Sequence, residues 1–334
     1  MLCMILVSCT GQKTGKENDN NDKIAIEVGE IKFPPQDVLQ LKSYYLSSSV
    51  HVDSIDYLIG YNYRLHSLDC MNLKSKSVTQ IVLPGDGPDA IVRLSGIYAQ
   101  SLDSVWISDE SERAFLIDSV GTIKRMIDLK KYLEDQEQLL INTNYAMFTS
   151  HLFYNASRHS LMFLVKHTPS NTFIVKEVFI DEVGKMATYQ LSSSKVVPDM
   201  SKGYAYINFP NVNFVGENIV YNYPVESSIY MLDIRTNERK YILADSHYTS
   251  NIIEKCTTSG DYATLEKHWL ENSHFYDIMY LPKYKIYARL HADKVDFDEK
   301  KGMEKLIDER DLYLMLFDEN MEKIGETKLS NCRY

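Results

Sequence analysis

The chain repeats short runs of aliphatic, aromatic and β-branched residues that are separated by polar turns. From Lys23 onward these runs recur in groups of four, at intervals of roughly 50 to 65 residues. The clear copies occupy 90–129, 147–191, 211–244 and 274–330, and a blurred first copy occupies 56–83. Several runs are apolar throughout, which is typical of strands that are buried on both faces.

The third-to-fourth turns of these groups share one chemistry. They begin at Asp118, Asp181, Asp233 and Asp318, and a Gly or Asn follows within the turn. An Asp side chain bonds its own backbone at the start of a turn, and Gly or Asn tolerates the left-handed conformation. A repeated four-stranded sheet indicates an all-β β-propeller over 23–334. Five repeats are counted. Strand-like residues at 24–33 and 38–46 would complete another blade, so we expect about six, with five to seven open.

The N-terminus predicts processing and a lipid anchor. Residues 2–7 are apolar, and Leu6-Val7-Ser8-Cys9 is similar to the lipobox of bacterial lipoproteins, in which the chain is cut before a cysteine that is then acylated. Residues 1–8 are therefore a predicted signal, and 9–22, which are polar after Cys9, a flexible tether. No Lys or Arg precedes Cys9, so we expect the true start to lie upstream. A frayed terminus or an exposed edge strand is the alternative.

Charge and composition limit the partners. The formal net charge is -10, and such a surface repels phosphate backbones, so nucleic acid is excluded as a partner. No apolar run reaches the length of a membrane span, so contact with a membrane is expected through the lipid only. The expected location is the bacterial cell envelope, with the outer membrane favoured. Cys70, Cys256 and Cys332 are widely spaced and odd in number, which favours buried thiols over a disulfide framework.

The stretch from Leu83 to Ile91, LPGDGPDAI, is followed by LDSVW at 102–106 and FLID at 115–118. Together with the lipobox, these motifs resemble a propeller lipoprotein family of Bacteroides-type bacteria. Most members carry only a domain-of-unknown-function label. The resemblance implies about six blades and an envelope location, and it implies no catalytic residues.

Long connections are predicted on one face of the propeller, because strands alternate in direction within each blade. They are 130–146, 192–210, 245–273 and 292–310. Long loops on a rigid scaffold commonly carry function. Residues 261–270 have helical periodicity and would pack on the rim or cover the channel. The candidate binding residues on this face are Arg113, His247, Tyr248, Tyr262, His268 and Trp269.

Two of these candidates have explicit alternatives. Trp269 is expected to be partly exposed as a binding anchor, or else to be a buried rim residue. Arg113 would bind a carboxylate, or else form a solvated salt bridge.

Catalytic and metal-binding motifs are not visible in the sequence. There is no zinc-protease motif, phosphate loop or nucleophile elbow. His151, His159 and His167 lie in separate predicted elements, and Asp296 to Gly302 departs from a calcium loop at Lys300. We therefore expect no metal and no cofactor.

Two classes of function remain. The first is a non-enzymatic binding or scaffold module for a glycan, a peptide or an envelope protein. The second is a lyase or hydrolase with its site in the central channel. The lack of a concentrated acid–base motif favours the first, although propeller sites are assembled from separate blades.

Overall fold

A computed structural model of the chain describes residues 2–8, 25–34, 44–141, 151–196, 209–256 and 262–329. Over these residues the protein is an all-β β-propeller of four-stranded antiparallel sheets, as the repeats predict. Five blades are described, so the expectation of about six is wrong for this part of the chain.

An N-terminal pair of strands lies outside the blades. β1 (Leu2–Ser8) pairs with β2 (Ala25–Ile31) in a sheet of their own. The strand predicted at 24–33 is present, but its described partner is β1, and it does not start another blade. Residues 35–43, which were expected to help complete that blade, lie outside the described residues. Cleavage before Cys9, also outside them, stays a prediction.

Each blade takes its strands in chain order from the inside outwards. Blade 1 consists of β3 (Ser47–Val52), β4 (Ile55–Asn62), β5 (Ser67–Asn72) and β6 (Val78–Val82). Blade 2 consists of β7 (Leu94–Ser101), β8 (Ser104–Asp109), β9 (Arg113–Ile117) and β10 (Ile123–Asp128).

The remaining blades follow the same order. Blade 3 consists of β11 (Glu137–Leu139), β12 (Phe153–Asn155), β13 (Ser160–His167), β14 (Thr172–Phe179) and β15 (Met186–Gln190). Blade 4 consists of β16 (Asn211–Val215), β17 (Asn218–Asn222), β18 (Ile229–Asp233) and β19 (Arg239–Ile242). Blade 5 consists of β20 (His274–Leu281), β21 (Ile286–Ala292), β22 (Leu312–Phe317) and β23 (Lys323–Leu329).

The core lies between consecutive blades. Fully buried side chains such as Ile59 and Phe115 join blades 1 and 2, and Trp106 and Phe163 join blades 2 and 3. Equivalent apolar clusters join blades 3 and 4, and blades 4 and 5. Burial of apolar area on both faces of the central strands explains why their sequences do not alternate.

The innermost position of blade 3 is shared by two short strands. β11 pairs with one end of β13 and β12 with the other, so the chain leaves the inner edge after Leu139 and returns at Phe153. A Cβ on Gly96, in the inner strand of blade 2, would lie 2.6 Å from Ile141 Cγ2 and 3.4 Å from Leu152 Cβ. The absence of a Cβ on Gly96 therefore leaves room for Ile141 and Leu152 to pack against blade 2.

The antiparallel order places the blade-to-blade connections and the second-to-third loops on one face, here called the long-loop face. Its described part includes α1 (Tyr262–Leu270), which confirms the helix predicted at 261–270, and α2 (Met303–Glu309), which was not predicted. The loop predicted at 130–146 is shorter, because β11 lies within it. No described helix has the length and apolar character needed to cross a membrane.

Candidate functional site

Arg113 has a structural role. Its guanidinium donates to Asp109 Oδ2 at 2.7 Å and to the Ala90 carbonyl at 2.8 Å. The Asp109 side chain is fully buried, and its other oxygen accepts from the backbone of the same turn. The Arg113 charge is thus matched by a carboxylate of its own chain, and the predicted solvated salt bridge is instead a partly buried one.

Trp269 is buried. Its side chain is 5% exposed, its indole N–H donates to His274 Nδ1 at 3.1 Å, and the Arg310 guanidinium lies 5.0 Å from its ring. The expectation of an exposed anchor is wrong, because the apolar side of α1 packs into the core between blades 3 and 4. Trp269 is the buried rim residue that the sequence left as the alternative.

His268, on the same helix, contacts the chain before α1. His268 Nε2 lies 2.7 Å from the Glu254 carbonyl and holds the segment before the helix. Tyr262 begins α1, and its side chain lies outside the described part of the structure.

Tyr248 is the candidate that the structure presents to solvent. It lies in the first part of the connection between blades 4 and 5, and the residue is 53% exposed. Its ring stacks on that of Tyr313, with the centroids 5.0 Å apart and the planes at 18°. A large aromatic surface is therefore held in one orientation on the long-loop face.

The Tyr248–Tyr313 pair continues into the core as a column of rings. Tyr313 stacks on His291 at 5.1 Å, and His291 stacks on Phe275 at 5.5 Å. The guanidinium of Arg289 lies 4.8 Å from the centroid of the Phe275 ring. These contacts run from an exposed ring to a buried cation, and they fix Tyr248 on the body of blade 5.

Glu326, on β23, holds the same loop in place through hydrogen bonds. Its carboxylate accepts from Ser246 Oγ at 2.6 Å, from the His247 N–H at 3.1 Å and from Lys323 Nζ at 3.2 Å. Burial alone would raise the pKa of Glu326, but its contacts with His291, Ser246 and His247 outweigh burial and lower the pKa to about 2. Glu326 is therefore a carboxylate at neutral pH.

His291 contacts both Glu326 and the loop. Its Nε2 lies 3.0 Å from Glu326 Oε1, and its Nδ1 lies 3.2 Å from Thr249 Oγ1. Burial lowers the pKa of His291, which keeps the imidazole neutral at pH 7. Side chains from β21, β23 and the loop thus share one network, and His247 contributes its backbone N–H to it.

A second polar contact joins the inner parts of two blades that are not consecutive. His151 lies two residues before β12 in blade 3, and Asp277 lies on β20 in blade 5; their Nε2 and Oδ2 atoms are 3.5 Å apart. Blade 4 lies between these two blades in the chain, so the contact links blades that are not consecutive. The two side chains are 33% and 19% exposed. The sequence analysis considered His151 only as a metal ligand and did not single out Asp277.

Asp277 lies in a β-bulge of β20. Phe275 pairs with His291 and Ile278 with Arg289, so Tyr276 and Asp277 oppose a single residue, Leu290. Such a bulge changes the direction of side chains and is common beside functional sites.

Metal binding finds no support in the described ranges, where no three His, Cys, Asp or Glu side chains come together in a way that would hold an ion. In the segment that departs from a calcium loop, Asp298 Oδ1 accepts from the Lys300 N–H as a turn ahead of α2.

Sequence reasoning identified His247 and Tyr248 but missed Tyr313, His291, Glu326 and Asp277. Tyr313, His291 and Glu326 lie in strands, where only pairing across blade 5 reveals that they meet. The available signal was His291 within β21, a mostly apolar strand, whereas Glu326 lies in β23, which is largely polar.

Comparisons with family profiles and with solved structures both give matches. The family profile of DUF4221, a domain of unknown function, matches residues 17–328. A crystal structure of a DUF4221 member from Bacteroides vulgatus is similar, with a TM-score of 0.70 and 14% identity, over 89% of this chain and 84% of that one. A protein of Bacteroides fragilis, provisionally described as exported, has a TM-score of 0.51 and 13% identity over 89% and 74%. No curated protein matches the sequence significantly.

Proposed function

Because the chain belongs to the DUF4221 family, whose function is unknown, we propose a function from its own geometry. The protein is a membrane-tethered envelope lipoprotein that acts as a non-enzymatic binding or scaffold module. It binds its partner through the long-loop face, and Tyr248 is the anchor of that face. This assigns to Tyr248 the role that the sequence analysis gave to Trp269.

One observation carries the proposal: Tyr248 is half exposed yet fixed by stacking and by the Glu326 network. An exposed aromatic side chain that is already ordered loses little conformational entropy on binding. His291 and Glu326 in the network are buried, so they supply rigidity and leave contact with the partner to the ring and the loop surface.

The partner is a glycan, a peptide or an envelope protein. Tyrosine suits all three, because its ring packs against apolar C–H groups and its hydroxyl remains available for a hydrogen bond. A formal net charge of -10 argues against polyanions such as nucleic acid.

The test is binding to a glycan array and a peptide array with three forms of the full chain. Tyr248→Ala should weaken binding at least tenfold. Tyr284→Ala is the matched control, because Tyr284 is also exposed (38%) but lies in the first-to-second turn of blade 5, on the opposite face. Equal loss in both variants, or no loss in Tyr248→Ala, would contradict a role for this face.

The envelope tether rests on Leu6-Val7-Ser8-Cys9 and on the similarity to a protein provisionally described as exported. Acylated Cys9 would hold the protein by its lipid chains, each buried CH₂ adding about 0.8 kcal/mol. Cys9→Ser should move the protein from the detergent-extracted membrane fraction to the soluble fraction. A variant that still sediments with membranes in high salt would show that no lipid anchor is used.

The alternative function is a propeller lyase or hydrolase with its site in the central channel. The observation that favours it is the contact between His151 and Asp277, since a carboxylate that orients an imidazole is a common proton-transfer pair. The test is to incubate the protein with a ligand that binds on the arrays and to measure product formation. Product formation that is lost in Asp277→Asn and retained in Tyr248→Ala would favour the enzyme.

A further inference from the structure

We propose that His151 and Asp277 form a second ligand site, inside the channel, for an uncharged ligand rich in hydroxyl groups, such as a single sugar residue. The proposal is independent of the long-loop face. It begins with the position of the pair, since the two residues come from blades 3 and 5, which are not consecutive, and meet at the inner strands.

Stability does not account for the pair. A partly exposed ion pair contributes roughly 0 to 1 kcal/mol, and the atoms here are 3.5 Å apart, at the limit of a hydrogen bond. Holding Asp277 in this position interrupts the ladder between β20 and β21. A regular strand would keep that ladder, so the bulge is better explained by what the carboxylate faces.

The two side chains retain free hydrogen-bonding capacity. Within the described ranges, Asp277 Oδ1 and His151 Nδ1 have no protein partner, while Oδ2 and Nε2 face each other. The carboxylate accepts hydrogen bonds only, and the imidazole nitrogen donates or accepts according to its tautomer. A ligand hydroxyl, which both donates and accepts, satisfies both atoms.

The inner strands supply apolar surface close to His151. Phe153, two residues after His151, packs edge-on to Tyr98 at 5.0 Å and stacks on Phe214 at 4.9 Å. These three rings come from blades 2, 3 and 4. Tyr98 and Phe153 are only partly buried, and the C–H face of a sugar packs well on such rings.

The negative charge of Asp277 limits which polar ligands this site would bind. Asp277 repels phosphates and carboxylates, and the acidic protein adds to that repulsion. His151 already occupies one oxygen of Asp277, which leaves a hydrogen-bond acceptor rather than an open site for a cation. An uncharged polyol or sugar is the class that remains.

The experiment measures binding of galactose, glucose and N-acetylglucosamine to the full chain by saturation-transfer NMR and calorimetry. Glucuronate and glucosamine serve as the anionic and cationic probes. At least one neutral sugar should bind, more tightly than either charged probe. Asp277→Asn and His151→Gln should each weaken that binding at least tenfold, with unchanged circular dichroism.

The chain offers a matched control in another His–Asp pair. His51 and Asp56, 2.7 Å apart, are both exposed near the first turn of blade 1. Asp56→Asn should leave sugar binding unchanged, because this exposed pair lies outside the proposed site. The proposal is overturned if no neutral sugar binds, if a charged probe binds better, or if Asp277→Asn binds as well as the unchanged protein.

Discussion

At the scale of single residues, Trp269 and Tyr248 show how differently two aromatic side chains of one connection are used. Trp269 is enclosed by blade 4, α1 and Arg310, whereas Tyr248 lies on the surface. Both are near polar partners, but only the indole of Trp269 is removed from water. The two residues therefore have different thermodynamic roles.

Trp269→Ala should lower the free energy of unfolding by about 3 to 5 kcal/mol, because it leaves a cavity and removes the donor to His274. Urea denaturation measures the change. Tyr248→Ala is the control and should change the free energy by less than about 1 kcal/mol, since its ring is half exposed. Similar values for the two variants would contradict the burial of Trp269.

His274 gives a pH dependence with a defined sign. Burial, with a smaller contribution from Arg310, lowers its pKa from 6.5 to about 3. Between these values the unfolded chain binds the proton and the folded chain does not, so stability is complete above pH 6.5 and falls as pH decreases towards 3. The slope from this group is at most about 1.4 kcal/mol per pH unit.

The measurement is the free energy of unfolding between pH 7 and about pH 4.5, for the unchanged protein and for His274→Gln. Carboxylates contribute to both curves, so the difference in slope isolates His274. The variant should show the shallower dependence, and parallel curves would mean that His274 is not held neutral by the fold.

At the scale of elements, two glycines with nearly the same backbone test the contact between blades 1 and 2. Gly121 and Gly184 lie in equivalent turns, with φ of +83° and +80°. A Cβ on Gly121 would lie 2.2 Å from the Val82 carbonyl oxygen of blade 1, whereas a Cβ on Gly184 meets nothing within 4 Å.

Gly184→Ala should cost about 1 kcal/mol, which is the strain of the left-handed conformation alone. Gly121→Ala should cost at least about 1 kcal/mol more, because the turn must also move away from blade 1. Thermal melts of the two variants give the comparison. Equal shifts in Tm would show that the turn of blade 2 moves freely against blade 1.

The strands of blades 2, 4 and 5 could be predicted because each is a local run of apolar residues between turns. The inner strand of blade 3 could not, since β11 and β12 are recognisable only by their shared partner β13. Helix α2 is a single short element without a long apolar period. The Glu326 network could not be predicted from the sequence for the same reason. Its members are distant in sequence, and only strand pairing brings them together.

At the scale of the whole molecule, the sheets dominate any spectroscopic signal. The described α-helices are α1 and α2, of 9 and 7 residues. Circular dichroism of residues 23 to 334 should therefore show a strand-dominated spectrum. A helical fraction above about a quarter would contradict the propeller.

The position of Glu326 has a consequence for biosynthesis. It lies on β23, the last strand that the structure describes, yet it holds the loop that carries Tyr248, nearly 80 residues earlier in the chain. A nascent chain on the ribosome has Tyr248 long before it has Glu326. The loop therefore reaches its final conformation only after β23 has been synthesised. A truncated chain that ends before β23 contains Tyr248 but lacks the carboxylate that holds the loop.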